Sequence, residues 1–319
     1  MVMLTVNLEM PSVRSLKSQP EGMIMKNWTK GILVAGIMAV AMFQSASAQT
    51  IKIGSKNFTE QYILAEMYAA VLENAGFTVE RKINLGGTLI AHQALVAGEI
   101  DLYPEYTGTA LASVVKGEMS TDTDKVYTQV RDFYAKQFNL TWLKPSGINN
   151  GYVIVVRQET AQANNLKSLS DLAKVSKTLV FGGGAEFPDR ADGLPGLKRV
   201  YDAEFKEFKQ FAKLGLRYDA LEQKDIDVAN GAATDWQIGS KKLVPLADDK
   251  GLFPPYYVAP VVRQDVLKVN PKIAELLEAV GAHLDNEKMR VLNAKVETDH
   301  EESEDVAVDF LKENGLLPK

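Results

Sequence analysis

Residues 51–83, IKIGSKNFTEQYILAEMYAAVLENAGFTVERKI, decide the fold class. Ile51 to Gly54 is a short apolar run that ends at glycine, which predicts a strand. Ile63, Leu64, Met67, Val71 and Leu72 then recur at helical spacing until Asn74 to Gly76 stop the helix, and Thr78 to Ile83 is a second strand. Thr88 to Ala97 is predicted as a second helix and Ile100 to Tyr103 as a third strand. This βαβαβ order implies a parallel sheet with helices on its faces.

A second set of the same kind begins with a strand at Tyr152 to Val156. A helix near Leu169 to Ala173, a strand at Leu179 to Gly182 and a helix from Gly193 to Tyr201 follow it. Leu243 to Leu246 and Tyr257 to Arg263 are further strands. The tail from Pro271 is helical, with Ile273, Leu276, Leu277 and Val280 on one face and apolar runs at Leu284 to Val296 and Val306 to Leu311. No fixed-period repeat or low-complexity linker divides the two sets, as expected of a chain that passes between two α/β lobes more than once.

The 319 residues have a net charge of −5 with both signs mixed along the chain, which argues against a nucleic-acid surface. The chain has no cysteine, so disulfides, thiolate metal sites and cysteine nucleophiles are excluded. His92, His283 and His300 are scattered, and no metal, cofactor or histidine-centred triad is expected.

Residues 1–48 read as an N-terminal extension followed, from about Met25, by a signal peptide. Lys26 and Lys30 form the positive end, Gly31 to Phe43 the apolar stretch, and Ala46-Ser47-Ala48 the small-residue cleavage site. The apolar stretch, at about 1.5 Å per residue, spans about 20 Å, short of a hydrocarbon core of roughly 30 Å. Cleavage after Ala48 would release the mature chain into a periplasm-like space, and Gln49 offers no lipid-anchor cysteine.

In open parallel sheets, ligands sit beyond the carboxyl ends of the strands, and three residue groups fall there. Gly54-Ser55-Lys56-Asn57 could receive an anion at a helix N-terminus; alternatively Asn57 caps the helix and Lys56 is solvated. Tyr103-Pro104-Glu105-Tyr106-Thr107-Gly108-Thr109 reads as a rigid turn presenting Tyr106 and the Thr109 hydroxyl, unless its tyrosines are packing residues. In Phe253 to Pro260 two prolines hold Tyr256 and Tyr257 stiffly before a strand, and Asn150-Gly151-Tyr152 opens another strand in the same way. Arg190, in the loop Glu186 to Arg190, carries a fork suited to a carboxylate. Tyrosine faces attract an alkylated cation while the lysine and arginine attract an anion, so a ligand carrying both charges would be read at both ends.

IKIGSKNFTEQYILAEMYAAVLENAG, the later GGT, GEIDLYPEYTGTAL, DGLPGL and TD segments, and FPPYYVAPVVR together resemble the substrate-binding proteins of osmoprotectant ABC importers. These take up glycine betaine, choline, carnitine and related quaternary amines. The resemblance runs from about Lys52 to the C-terminus. It implies a two-lobed type II periplasmic binding protein fold with two parallel-type sheets flanked by helices and a ligand cleft between the lobes. Residues 50–151 plus 258–319 would form lobe 1, and 152–257 lobe 2. It also implies an ABC permease as partner, a monomer, and no catalysis.

Carried over by position, Lys56, Thr109 and Arg190 would hold a ligand carboxylate, and Tyr106, Tyr152 and Tyr256 would wall an aromatic cage for the trimethylammonium group. Asn150 stands where the family often has an aspartate near the cation. Ala232 stands about where a further aromatic is expected, so the cage is expected to be weaker or to admit a larger betaine such as ergothioneine. Trp236 is a candidate replacement wall, with Tyr257 and Ser55 as further candidates. An exported hydrolase is disfavoured, because the chain has no Gly-x-Ser-x-Gly elbow, Ser-x-x-Lys motif or His-Glu-x-x-His helix. A ligand-sensing subunit would use the same cleft.

Overall fold

The structure is a computed structural model that describes residues 50–319. The expected extension, signal peptide and cleavage point after Ala48 lie outside the described residues.

The chain opens with β1 (Thr50–Gly54), α1 (Thr59–Asn74), β2 (Thr78–Lys82), α2 (Thr88–Ala97) and β3 (Leu102–Tyr106). α3 (Thr107–Ala110), a turn of π-helix, α4 (Thr123–Phe138) and β4 (Leu140–Trp142) follow. The middle of the chain is β5 (Tyr152–Val156), α5 (Gln158–Asn164), α6 (Leu169–Val175), β6 (Val180–Gly183), α7 (Leu194–Tyr201), β7 (Glu207–Gln210), α8 (Leu216–Glu222), β8 (Val228–Ala232), α9 (Gln237–Ser240) and β9 (Val244–Leu246). It closes with β10 (Val258–Arg263), α10 (Gln264–Val269), α11 (Lys272–Ala282), α12 (Asn286–Thr298) and α13 (Ser303–Glu313).

Two five-stranded sheets result, in the orders β2-β1-β3-β10-β4 and β7-β6-β8-β5-β9. They are mixed, which corrects the expectation of parallel-type sheets. β2, β1 and β3 are parallel, as are β7, β6 and β8, but β10 and β5 run antiparallel to their neighbours on both sides. These are the strands by which the chain enters each sheet from the other. A strand entering at the end where the parallel strands finish must run away from it, against them.

β3 extends three residues past the predicted end at Tyr103, through Pro104. Proline usually marks the end of a central strand because it has no N–H for the ladder. Here Pro104 lies opposite Pro260 of β10. The Pro260 carbonyl accepts from Leu143 N on the far side at 3.0 Å, so the two prolines face each other as a pair between which no ladder bond runs. The expected rigid turn is therefore the end of a buried strand that runs straight into α3.

α1 is buried along most of its length, between β1 on one side and α11, α12 and α13 on the other, and Ile63, Leu64, Met67 and Leu72 join the core it shares with them. Its apolar positions are too widely spread round the helix for one exposed face, which fits a helix buried on all sides. α4 was not read from the sequence. Its Val126, Val130 and Tyr134 recur at four-residue spacing and are buried, and Asp122 caps its N-terminus by accepting from Lys125 N.

α3 starts against the loop that leads into β10. A Cβ on Gly108 would lie 2.7 Å from Tyr256 Cδ1 and 2.8 Å from the Pro255 carbonyl oxygen, so only glycine lets the two segments meet. Gly108→Ala is expected to lower stability by about 1–3 kcal/mol through this overpacking, read as a shift in the urea midpoint with an unchanged slope.

Candidate functional site

A cavity of about 1000 Å³ opens between the ends of the two sheets. Its walls are the segments that follow β1, β3, β6 and β8, where a ligand site of an α/β sheet is expected. Lys56, Tyr106, Thr109, Asn150, Tyr152, Arg190 and Tyr256 all line it, as do Ala232 and Trp236. Ser55 and Tyr257 do not. Ser55 is buried and its hydroxyl accepts from Asn84 N at 2.8 Å, tying β1 to the segment after β2. The Tyr257 backbone braces α3, its N–H donating to Thr107 Oγ1 and its carbonyl accepting from Thr107 N. Both are supports of the site and not walls.

Neither of the bland alternatives for the first segment holds. Asn57 makes no side-chain cap of α1, and Lys56 is 3% exposed. Its Nζ donates to Glu105 Oε1 at 2.6 Å and lies 4.7 Å from the centre of the Tyr106 ring. Glu105, fully buried, also accepts from the Tyr103 hydroxyl at 2.9 Å and from Tyr106 N at 2.7 Å. Glu105 is thus the standing partner of Lys56, which uses one of its three donors.

Arg190 is built in the same way across the cavity. Its Nε and Nη2 donate to the two oxygens of fully buried Asp192 at 2.8 and 2.6 Å, a bidentate pair. Nη2 also reaches Thr109 Oγ1 at 3.4 Å, and the guanidinium lies 5.2 Å from the centre of the Tyr152 ring. The Tyr256 hydroxyl donates to Asp192 Oδ2 at 2.5 Å, so Arg190, Asp192, Tyr256 and Thr109 form one network. Burial pushes the Tyr256 phenol well above its usual value, and the Asp192 charge adds to this.

The three expected cage tyrosines do come together at one cavity. Tyr152 meets Tyr256 edge to face with ring centres 5.5 Å apart, and Phe187 and Phe253 close its other edges. Tyr106 stands apart from this group and stacks on Phe58 at 6.2 Å. Trp236 is half-buried, and its Nε1 donates to Glu297 of α12 at 2.8 Å, a bond between the two sheet systems. Ala232 lies at the end of β8, its N–H held by Asp235 Oδ2 at 2.9 Å; Asp235 also pairs with Arg217 and accepts from the Tyr218 hydroxyl.

One functional group escaped the sequence reading altogether. Glu60, in the first turn of α1, lines the cavity and is 2% exposed. Its Oε1 accepts from the Tyr106 hydroxyl at 2.7 Å and Asn150 Nδ2 at 2.9 Å. Its Oε2 accepts from Thr234 Oγ1 at 2.5 Å and Asn293 Nδ2 at 3.3 Å. Burial raises its pKa above the usual carboxylate value, and these four bonds only partly oppose the shift. An acidic residue in the first turn of a helix is ordinary, so nothing in its sequence context marks it.

Two lobes with a ligand cavity between the ends of their sheets define a type II periplasmic binding protein. Residues 49–313 match the family described as the substrate-binding domain of ABC-type glycine betaine transport systems, and the chain belongs to that family. It is 35% identical over 294 residues to the glycine-betaine-binding protein of Pseudomonas aeruginosa, covering 89% of this chain and 93% of that one. It is 33% identical over 286 residues to the ergothioneine transport permease/ergothioneine binding protein EgtU of Helicobacter pylori, covering 89% of this chain but only 51% of that longer protein. A crystal structure described as a glycine betaine/carnitine/choline ABC transporter superposes with a TM-score of 0.68 at 30% identity, covering 83% of this chain and 99% of the other.

The buried pairs set the stability of the site. Asp192→Ala leaves the buried Arg190 guanidinium with only Glu186, 4.0 Å away and partly exposed, as counter-charge and is expected to cost about 3–5 kcal/mol in urea unfolding. Replacing both partners, Arg190→Met with Asp192→Leu, is expected to recover most of that loss.

Proposed function

We propose that the chain is the exported solute receptor of an ABC importer, and that it captures a quaternary ammonium compound and hands it to a membrane permease. The observation that carries this reading is the meeting of Tyr106, Tyr152 and Tyr256 with Lys56, Thr109, Arg190 and Asn150 around one cavity. The tyrosines would receive the trimethylammonium group, each contributing about 0.5–2 kcal/mol once water is excluded. The donors that Lys56 and Arg190 do not spend on Glu105 and Asp192, with the Thr109 hydroxyl, would receive a carboxylate.

Residues 50–151 with 258–319 would move as one lobe and 152–257 as the other, with ligand binding shifting the population toward closure. Release into a periplasm-like space as a monomer would follow cleavage after Ala48. Among the described residues no helix is long and apolar enough to cross a membrane. Glycine betaine, carnitine and choline are the compact candidates. A larger betaine such as ergothioneine is favoured by one observation, the methyl of Ala232 at a cavity wall where a ring would narrow it.

Tyr106→Ala and Tyr256→Ala are each expected to weaken binding of the preferred betaine at least tenfold in calorimetry, with circular dichroism unchanged. Unchanged affinity in both would remove the cage. If Lys56, Thr109 and Arg190 read a carboxylate, glycine betaine displaces choline in competition; the reverse order would refute that role.

A further inference from the structure

Four carboxylates stand in or behind the cleft wall, three of them buried and Asp235 half-buried, and they are not alike. Lys56 with Glu105, Arg190 with Asp192, and Arg217 with Asp235 are each closed ion pairs. Glu60 makes no ion pair among the described residues. The elements packed on it bring only neutral donors to its oxygens: Tyr106 from β3, Asn150 from the crossing into β5, Thr234 from the segment after β8 and Asn293 from α12. α12 also carries Glu287, Lys288 and Lys295, none of them paired with Glu60. Of the other charged groups on or near those elements, Glu105 and Lys56, Arg217 and Asp235, and Arg290 and Glu297 line the cavity or bond to segments that do. All are engaged elsewhere. Lys56, Glu105, Arg217 and Asp235 are in the pairs just named, Arg290 Nη2 donates to the Ala233 carbonyl, and Glu297 accepts from Trp236 and Gln237.

A buried carboxylate without a counter-ion is costly and is retained where something else supplies the positive charge. Two of its four partners, Tyr106 and Asn150, are the groups placed beside the ligand's cation. We propose that Glu60 is the counter-charge of the ligand's quaternary ammonium group, and that seating the cation expels a proton from it. This inference rests on the quaternary-ammonium reading above and adds to it the residue that reads charge, as distinct from the shape and polarisable faces read by the rings.

The chemistry balances simply: the acid proton goes to solvent, the carboxylate remains, and the cation sits beside it. With the cleft empty, burial favours the neutral acid over the carboxylate. A neutral acid attracts a cation weakly and a carboxylate strongly. Affinity therefore rises with pH until the empty-state pKa is passed, then levels. The sign for stability is opposite. Because the folded-state pKa of Glu60 lies above its unfolded value, its contribution is fully present below the unfolded pKa and is lost as pH rises through the folded one.

The test compares choline with 3,3-dimethylbutan-1-ol, its uncharged isostere, by calorimetry on wild type, Glu60→Gln and Glu60→Asp from pH 5 to 8.5. Two buffers of different ionisation enthalpy report the protons released. Wild type is expected to bind choline at least threefold more tightly at pH 8 than at pH 5, with proton release, and to reject the isostere. Glu60→Gln is expected to lose at least tenfold in choline affinity at pH 8, to lose the pH dependence and to narrow the gap between the two ligands. Relative to wild type, the unliganded variant should gain stability as pH rises. Glu60→Asp, keeping the charge, is expected to keep the proton release at reduced affinity. A Glu60→Gln protein that binds choline as wild type does, with the same pH profile, overturns the counter-charge alone. A wild type that binds none of choline, glycine betaine, carnitine and ergothioneine at any pH overturns the ligand class and this proposal with it.

Discussion

The arrangement depends on two chain crossings being hydrogen-bonded to each other. Asn150 N donates to the Tyr256 carbonyl at 3.1 Å, Tyr256 N donates to Asn149 Oδ1 at 2.8 Å, and Val258 N donates to the Ile148 carbonyl at 3.0 Å. The outgoing and returning strands thus form a short ribbon between the sheets. Two residues of that ribbon, Asn150 and Tyr256, point into the cavity, so the same bonds that join the lobes also set the site. Bonds between the sheet systems farther from the ribbon, such as Thr88 N to Glu186 at 2.6 Å and Trp236 to Glu297, link side chains or helix ends and can open without disturbing a ladder. In the closure proposed above, such a ribbon would act as the hinge, its own neighbourhood constant while the cleft mouth changes width.

The second constraint is electrostatic. Lys56 and Arg190 are too buried to wait unpaired for a ligand carboxylate, because an isolated charge in such a place is strongly disfavoured. Glu105 and Asp192 hold each of them in position beforehand. Their remaining N–H groups are then oriented without any loss of freedom at the moment of binding. The same pairing places the Lys56 ammonium over Tyr106 and the Arg190 guanidinium over Tyr152, so the rings are partly engaged by the protein's own cations. Under the proposed function, a trimethylammonium group would use the remaining ring faces and edges.

The helices and strands with clean periodicity were legible. Thr88 to Ala97 is a helix with those bounds, and Tyr152 to Val156 is a strand with those bounds. Short strands with atypical residues were missed, as β8 was, or read only in part, as β3 was up to Tyr103. β8 carries Asn230 and Gly231 in its interior, and β3 carries Pro104, which is tolerated only because Pro260 of a strand more than 150 positions away faces it. The site divides along the same line. Residues at strand ends could be found from topology, whereas partnerships could not. Glu105 lies 49 positions from Lys56 and Thr234 lies 174 from Glu60, separations that no local pattern encodes.

The weight that resemblance placed on the missing ring at Ala232 changes once the surrounding charges are known. The residues after β8 are organised by Asp235, which holds Ala232 N, Arg217 and the Tyr218 hydroxyl together, and by Thr234, which donates to Glu60. That turn therefore supplies the cleft with a bond to a carboxylate where a ring would have supplied a face. An aromatic face attracts any alkylated cation by about 0.5–2 kcal/mol and is indifferent to pH. A carboxylate acts on the cation by charge alone, reaches farther than a ring contact in a water-excluded cleft, and leaves room beside it. On the proposed reading, a charge in place of a wall would widen the range of sizes the cleft accepts while keeping a demand for a positive headgroup.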